Sequence, residues 1–157
     1  MEMFSAKVDD AGNWSEIEEI TFGDDKYAYG FPTLNKENNK LFFVSDMLPS
    51  SGGTDIFEVE ILADGSFGKP KNLGKTVNTE GMETTPYINS NNVLFFASDK
   101  KGGNGGLDIY AAEVFNNELS EAYHLEEPIN SINDDFAYII NEETSTGFFS
   151  SNRLQGN

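Results

Sequence analysis

Two glycine-rich loops bracketed by aspartates are where residue types and spacing in this chain could do chemistry. Asp46 and Asp55 enclose Ser50-Ser51-Gly52-Gly53-Thr54, and Asp99 and Asp108 enclose Gly102-Gly103-Asn104-Gly105-Gly106-Leu107. Carboxylates and backbone carbonyls around tight glycine turns suit calcium, which makes Asp46, Asp55, Asp99 and Asp108 candidate ligands. The second loop approaches a Gly-Gly-x-Gly-x-Asp calcium repeat, but Leu107 stands where the aspartate is needed and the period is far longer than a nonapeptide. The preferred reading is structural: glycine supplies left-handed turn positions and each aspartate caps its loop through backbone amides. No cofactor is expected, with calcium kept as the alternative.

Catalytic chemistry has less to work with. Ser45, Ser98 and Ser151 recur with the pattern described below and sit in no Gly-x-Ser-x-Gly elbow. A catalytic group is built once, whereas scaffold positions recur. Glu83 and Asp135 are not strictly periodic, since Gly30 occupies their place in the first unit, yet a carboxylate there would satisfy backbone at a strand entry. His124 aligns with Asn72 and Glu19 and is expected to face solvent, and Arg153 is the chain's one arginine. There is no cysteine, hence no thiol nucleophile, disulfide frame or cysteine-based zinc site. No catalytic residue is assigned, and the chain is expected not to be an enzyme.

The surrounding composition is that of a folded, acidic chain. Among 157 residues, 27 are acidic and 10 basic, a formal charge of −17 that disfavours nucleic acid and anionic lipid as partners. No apolar run approaches the ~20 residues of a membrane helix, so direct membrane insertion is not expected. The 13 phenylalanines and 6 tyrosines separate it from disordered acidic segments, which are poor in aromatics. Short β-rich runs between Gly, Asn, Asp and Pro, with no sustained helical periodicity, give an all-β class.

Those runs repeat. Leu41-Phe42-Phe43-Val44-Ser45-Asp46 returns 53 residues later as Leu94-Phe95-Phe96-Ala97-Ser98-Asp99, and after another 53 as Gly147-Phe148-Phe149-Ser150-Ser151-Asn152. Asp55-Ile56-Phe57 returns as Asp108-Ile109-Tyr110, and Val77-Asn78-Thr79 matches Ile129-Asn130-Ser131 at a spacing of 52. Each unit holds four strand-like runs. The second run is apolar on both faces, as in a strand covered on both sides. The third alternates Phe57 and Val59 with Glu58 and Glu60, the pattern of a half-exposed strand. Four strands per unit of this length indicate a β-propeller arc of four-stranded antiparallel blades, about three blade-equivalents in all. The expected division is 1–22, outer strands of a preceding blade; 28–74 and 82–126, whole blades; and 134–157, inner strands of a following blade. A segment of a longer protein is preferred over copies that complete a ring together. Either way, unpaired edges are expected at Met3 to Val8 and Phe148 to Asn152.

Taken together, Pro-Thr-Leu or Pro-Tyr-Ile, then Leu-Phe-Phe-(Val/Ala)-Ser-Asp, a Gly-rich loop and Asp-Ile-(Phe/Tyr) resemble the WD-repeat-like unit of TolB-type propellers. The 53-residue form, with Phe67-Gly68-Lys69-Pro70 and Val77-Asn78-Thr79-Glu80-Gly81, more specifically resembles the propellers of Bacteroidetes OmpA-family envelope proteins. That resemblance implies a periplasmic or outer-membrane-associated protein, in a cell-envelope or type IX secretion setting, that binds protein partners without catalysis. Peptidoglycan contact would fall to a flanking domain outside this chain. The alternatives are a glycan or peptidoglycan-fragment binding module, with calcium assisting, and a propeller-fold glycosidase. Tyr27, Tyr29 and Phe31, aromatics without counterparts in the next unit, are the candidate partner-binding residues.

Overall fold

A computed structural model describes residues 1–24, 26–116 and 118–154. Asn117, within the expected 82–126 unit, and the last three positions of 134–157 lie outside the described residues. Among those described, the chain is all-β without a helix and folds as four antiparallel sheets in chain order. The first is a hairpin of β1 (Met3–Val8) and β2 (Trp14–Ile20). The second runs β3 (Tyr29–Leu34), β4 (Lys40–Ser45), β5 (Asp55–Glu60) and β6 (Lys71–Asn72). The third runs β7 (Glu83–Ile88), β8 (Val93–Ser98) and β9 (Asp108–Phe115), with the short β10 (Glu118–Leu119) and β11 (Tyr123–His124) both on the outer edge of β9. The fourth is a hairpin of β12 (Asp135–Asn141) and β13 (Thr146–Ser151).

Two apolar layers hold these sheets face to face. Leu41 and Phe43 of β4, with Phe57 and Val59 of β5, meet Met3 and Ile20 of the first hairpin. Phe42, Val44 and Ile56, on the opposite face, meet Ile88, Leu94, Phe96 and Tyr110 of the third sheet. The doubly apolar Leu41–Val44 run therefore fills one core with each face, and all four side chains are buried. Burying a side chain of this size contributes about 2 kcal/mol, so β4 is the most strongly anchored strand in its sheet.

The third run keeps the half-exposed pattern toward its end, where Glu60 and Glu113 are exposed, and departs from it at its start. Asp55, Ile56, Phe57 and Val59 are all buried, and in β9 the first five residues are. The reason is that neighbouring sheets cover both faces of β5 and β9. Glu58, whose side chain is 13% exposed, is accommodated because Lys40 (2.9 Å) and Lys71 (3.2 Å) flank its carboxylate. The fourth strand is regular only in β2. In the second sheet Pro70 has no amide for the ladder, leaving an Ile61–Phe67 bridge and the two-residue β6. In the third, the Ala122 amide turns away to the Thr76 carbonyl and divides β10 from β11.

The first strands β3, β7 and β12 share one irregularity. Phe31, Thr85 and Ala137 adopt left-handed backbone (φ 52°, 46° and 55°), each where the register with the second strand slips. A left-handed residue at a register slip is a β-bulge, which bends the strand and re-aims its side chains. For β-branched Thr85 this conformation costs about 1–3 kcal/mol and persists only because the packed sheets on either side enforce it.

Candidate functional site

The glycine-rich loops join consecutive sheets. The Gly53 amide donates to the Gly81 carbonyl (2.7 Å) and the Glu83 amide to the Thr54 carbonyl (2.8 Å). One repeat later the Asp135 amide donates to the Leu107 carbonyl at 2.7 Å. Gly52 and Gly105 are required by close approach: a Cβ on Gly52 would lie 2.5 Å from the Gly81 oxygen, and one on Gly105 would strike the Asn133 carbonyl. These loops carry load between sheets.

The four aspartates divide into two kinds. Asp46 and Asp99 are exposed, and each accepts the backbone amide that leads into a first strand, from Ala28 (2.8 Å) and Met82 (2.6 Å). Asn152 does the same for the Asp134 amide, so the substitution of Asn for Asp in the third unit preserves the cap. Asp55 and Asp108 are buried and face the fourth strand. Asp55 accepts from the Ser51 amide and the Asn72 side chain, and Asp108 accepts from the Gly105 amide. Among the described residues no three His, Asp or Glu side chains converge to hold a metal ion.

Behind Asp55 and Asp108 lies a feature that residue types alone do not announce. Asn78 and Asn130 are fully buried, and each side chain pairs with both backbone groups of one isoleucine on a third strand. Asn78 accepts from the Ile56 amide (2.8 Å) and donates to its carbonyl (2.9 Å) and to Asn72 Oδ1 (2.8 Å). Asn130 accepts from Ile109 (2.7 Å) and donates to the carbonyls of Ile109 (2.8 Å) and Leu125 (2.7 Å). The residues just after the short fourth strands give each isoleucine carbonyl one amide, from Leu73 and Leu125 (both 3.1 Å), and the asparagine side-chain carbonyl supplies the acceptor for each isoleucine amide. The one signal in the sequence is the 52-residue recurrence of the two asparagines.

His124 occupies the position that Asn72 holds one unit earlier, and it corrects the solvent-facing expectation. Its side chain is 24% exposed, packs edge-on against Tyr110 (5.2 Å), and sets Nε2 at 3.5 Å from Asp108 and 3.1 Å from the Asn130 amide. Because Asn72 fills the same role, His124→Asn should change unfolding free energy by no more than about 1 kcal/mol in chemical denaturation.

Glu83 and Asp135 are both fully buried at first-strand entries and titrate in opposite directions. Burial pushes the Glu83 carboxyl above the ordinary value, against hydrogen bonds from Ser98 and Thr79 that favour its charged form. Burial also acts on Asp135, but hydrogen bonds from Ser151, Arg153 and Ser131 outweigh it and leave the carboxyl below the ordinary value. The raised Glu83 contributes stability that is present below its unfolded value of ~4.3 and lost as pH rises through the folded one. The lowered Asp135 contributes stability that is present above ~3.9 and lost as pH falls through its folded value. Melting temperature against pH should therefore lose part of its acid limb in Asp135→Asn, and lose part of its decline toward neutral pH in Glu83→Gln.

The aromatic trio does not form one patch. Tyr29 is 4% exposed and packs against Phe22 and Phe43, and Tyr27 lies half-buried on the same core with Lys26 over its ring. Phe31 alone is exposed, at 41%. It opens onto a shallow depression of about 340 Å³ made of three residues from each bulged first strand: Phe31-Pro32-Thr33, Thr85-Pro86-Tyr87 and Ala137-Tyr138-Ile139. The surface is apolar and repeats with the sheets. No family model matches the chain, and no curated protein matches it.

Proposed function

We propose that the chain is a β-propeller arc of about three blade-equivalents, serving as a non-catalytic scaffold on which protein partners dock. The observation that carries this reading is the side-by-side alignment of the three bulged first strands. Thr33 Oγ1 accepts the Ile88 amide (3.4 Å), Thr85 Oγ1 accepts the Ala137 amide (3.1 Å), and the Tyr87 hydroxyl donates to the Ile140 carbonyl (2.9 Å). Innermost strands of blades around a common axis meet in this way, and mouths and rims of such scaffolds present binding surface. The apolar depression around Phe31 is the docking surface this reading assigns. An envelope setting of the OmpA-family kind follows from the motif resemblance alone.

The experiment is site-specific photo-crosslinking in the native envelope. A photoreactive residue in place of Phe31 or Ile139 should give discrete protein adducts, and one in place of exposed Leu62, at the far end of its sheet, should not. Equal labelling at all three sites, or hydrolysis of a glycan panel by the purified chain, would sink the scaffold reading.

A further inference from the structure

We propose that the cleft between the second and third sheets is a docking site for a lysine side chain of a protein partner. The alkyl stem lies on Phe42, Ile88 and Val114, and the ammonium meets Glu37. The inference rests on the scaffold reading for the kind of partner, and it adds a second surface and the chemistry which that surface selects.

The two sheets pack through Phe42, Val44, Leu94 and Phe96, with Val114 only partly buried at the margin of that core. Two depressions of about 290 and 280 Å³ open there, and Phe42 of β4 and Val114 of β9 line both. Each wall belongs to a sheet that has its first, second, third and fourth strands in place. The 280 Å³ depression has Phe42, Ile88 and Val114 as an apolar floor, and Glu37 beside a rim of asparagine amides. An apolar floor with a few convergent polar groups is the usual make-up of a binding site.

The turns that follow the first strands show why this cleft stands open. Asn35, Asn89 and Asn141 occupy one position at the ends of β3, β7 and β12, so Lys36, Ser90 and Glu142 correspond, as do Glu37, Asn91 and Glu143. Between the third sheet and the last hairpin, Glu142 accepts the Ser90 amide (3.1 Å), the Ser90 hydroxyl and the Asn91 side chain (3.4 Å), tying the two turns together. One unit earlier, Ser90 stands in the place of Glu142 and Glu37 in the place of Asn91. Ser90 is short, and its hydroxyl is committed to Glu142. Among the described residues no hydrogen bond joins turn 35–39 to turn 89–92. The closed cleft sets donors against a carboxylate. The open one presents a carboxylate, Glu37, with no donor across from it.

Charge and geometry select the occupant. Glu58 binds both lysines that line the cleft, Lys40 and Lys71, so Glu37 and Glu118 are its carboxylates without a cation among the described residues. Oε2 of Glu37 accepts from the Asn35 side chain (2.9 Å), which leaves Oε1 as its oxygen without a partner among the described residues. A guanidinium docks bidentately and needs two such oxygens. An ammonium has three donors on a rotatable stem, and one carboxylate oxygen with the amide oxygens around it can meet them. A lysine also buries its methylenes along apolar surface while its head keeps to polar groups. The formal charge of −17 draws cationic partners and repels phosphates.

The probe is the blocked tripeptide acetyl-Lys-Leu-Lys-amide, titrated into the intact chain and followed by methyl NMR. Saturable shifts should appear at Ile88, Val114 and Leu119 and not at Ile139 in the Phe31 depression, and binding should weaken as salt is added. Glu37→Gln should raise the dissociation constant at least tenfold. Glu143→Gln, which removes the same charge from another exposed turn, should leave it within twofold. Both substitutions lie at the surface, and circular dichroism establishes that the fold is kept. A norleucine analogue of the peptide should not bind, and an arginine analogue should bind at least fivefold more weakly. The lysine site is overturned by an absence of saturable shifts, by shifts centred on Ile139, by equal losses in the two glutamine variants, or by equal affinity for the arginine analogue. Such a failure is distinct from failure of the scaffold reading. Photo-crosslinks at Phe31 would survive loss of the lysine site, whereas hydrolysis of glycans by the purified chain would remove the scaffold and leave the peptide shifts in place.

Discussion

Asn130→Ala should lower the unfolding free energy by about 2–3 kcal/mol, and Asn78→Ala by nearly as much, in urea or guanidinium denaturation. Each replacement leaves a buried isoleucine amide on a third strand without a partner, at about 1–3 kcal/mol, while the isoleucine carbonyl loses one donor and keeps the Leu73 or Leu125 amide. Asn130 carries the larger effect because it also holds the Leu125 carbonyl and meets His124. Water cannot repair the loss cheaply, since Asn130 and Ile109 are both 0% exposed. The Asp variant separates hydrogen bonding from volume. Asn130→Asp keeps the acceptor for the Ile109 amide but turns a carboxylate toward two carbonyls in the neighbourhood of Asp108. It should be at least as destabilising as alanine at neutral pH and should recover as the new carboxyl protonates. A loss below about 1 kcal/mol for both alanine variants would mean that the fourth strands, short as they are, hold the third strands unaided.

The same positions show what is legible from residues alone. The 53-residue period locates the second and third strands, because Leu41–Val44 and Leu94–Ala97 keep their apolar character on both faces. Exposure is harder to read. Glu58 looks solvent-facing under a period of two, but Lys40 and Lys71 on the two neighbouring strands of its own sheet fold over its carboxylate and leave the side chain 13% exposed. Tyr29 and Phe31 should share a face by the same rule. The left-handed backbone at Phe31 breaks the alternation, sending Tyr29 into the core and leaving Phe31 at the surface. Asn78 and Asn130 read as turn residues because their partners, 22 and 21 residues upstream, depend on how far a fourth strand extends. That length is set by Pro70 in one unit and by the diverted Ala122 amide in the other, which no periodicity encodes. The glycine loops lie between second and third strands, as their spacing predicts. Their work of bonding to the next sheet is a property of packing between units, invisible within either one.

That work leads to the other large effect. Gly105→Ala should cost about 3 kcal/mol and loosen the last hairpin from the rest of the chain. Overpacking in a close-packed site typically costs about 1–3 kcal/mol, and here the obstacle is the Asn133 backbone carbonyl, which cannot rotate aside as a side chain could. Relief requires the loop and the β12 entry to separate, which puts the Asp135–Leu107 hydrogen bond and the Leu107 amide's bond to Asp134 under strain as well. Hydrogen exchange should therefore rise selectively in β12 and β13, while β4 and β5 keep their protection. Gly102→Ala is the control. Gly102 sits at φ +99° in open space, where an added Cβ would meet nothing within 4 Å, so alanine there meets only the backbone penalty of about 1–2 kcal/mol and touches no neighbouring sheet. Equal exchange throughout the chain in both variants would assign the glycine runs to turn conformation alone. A selective effect of Gly105→Ala would make them the joints that turn four separate sheets into one rigid surface, which any docking at the Phe31 depression requires.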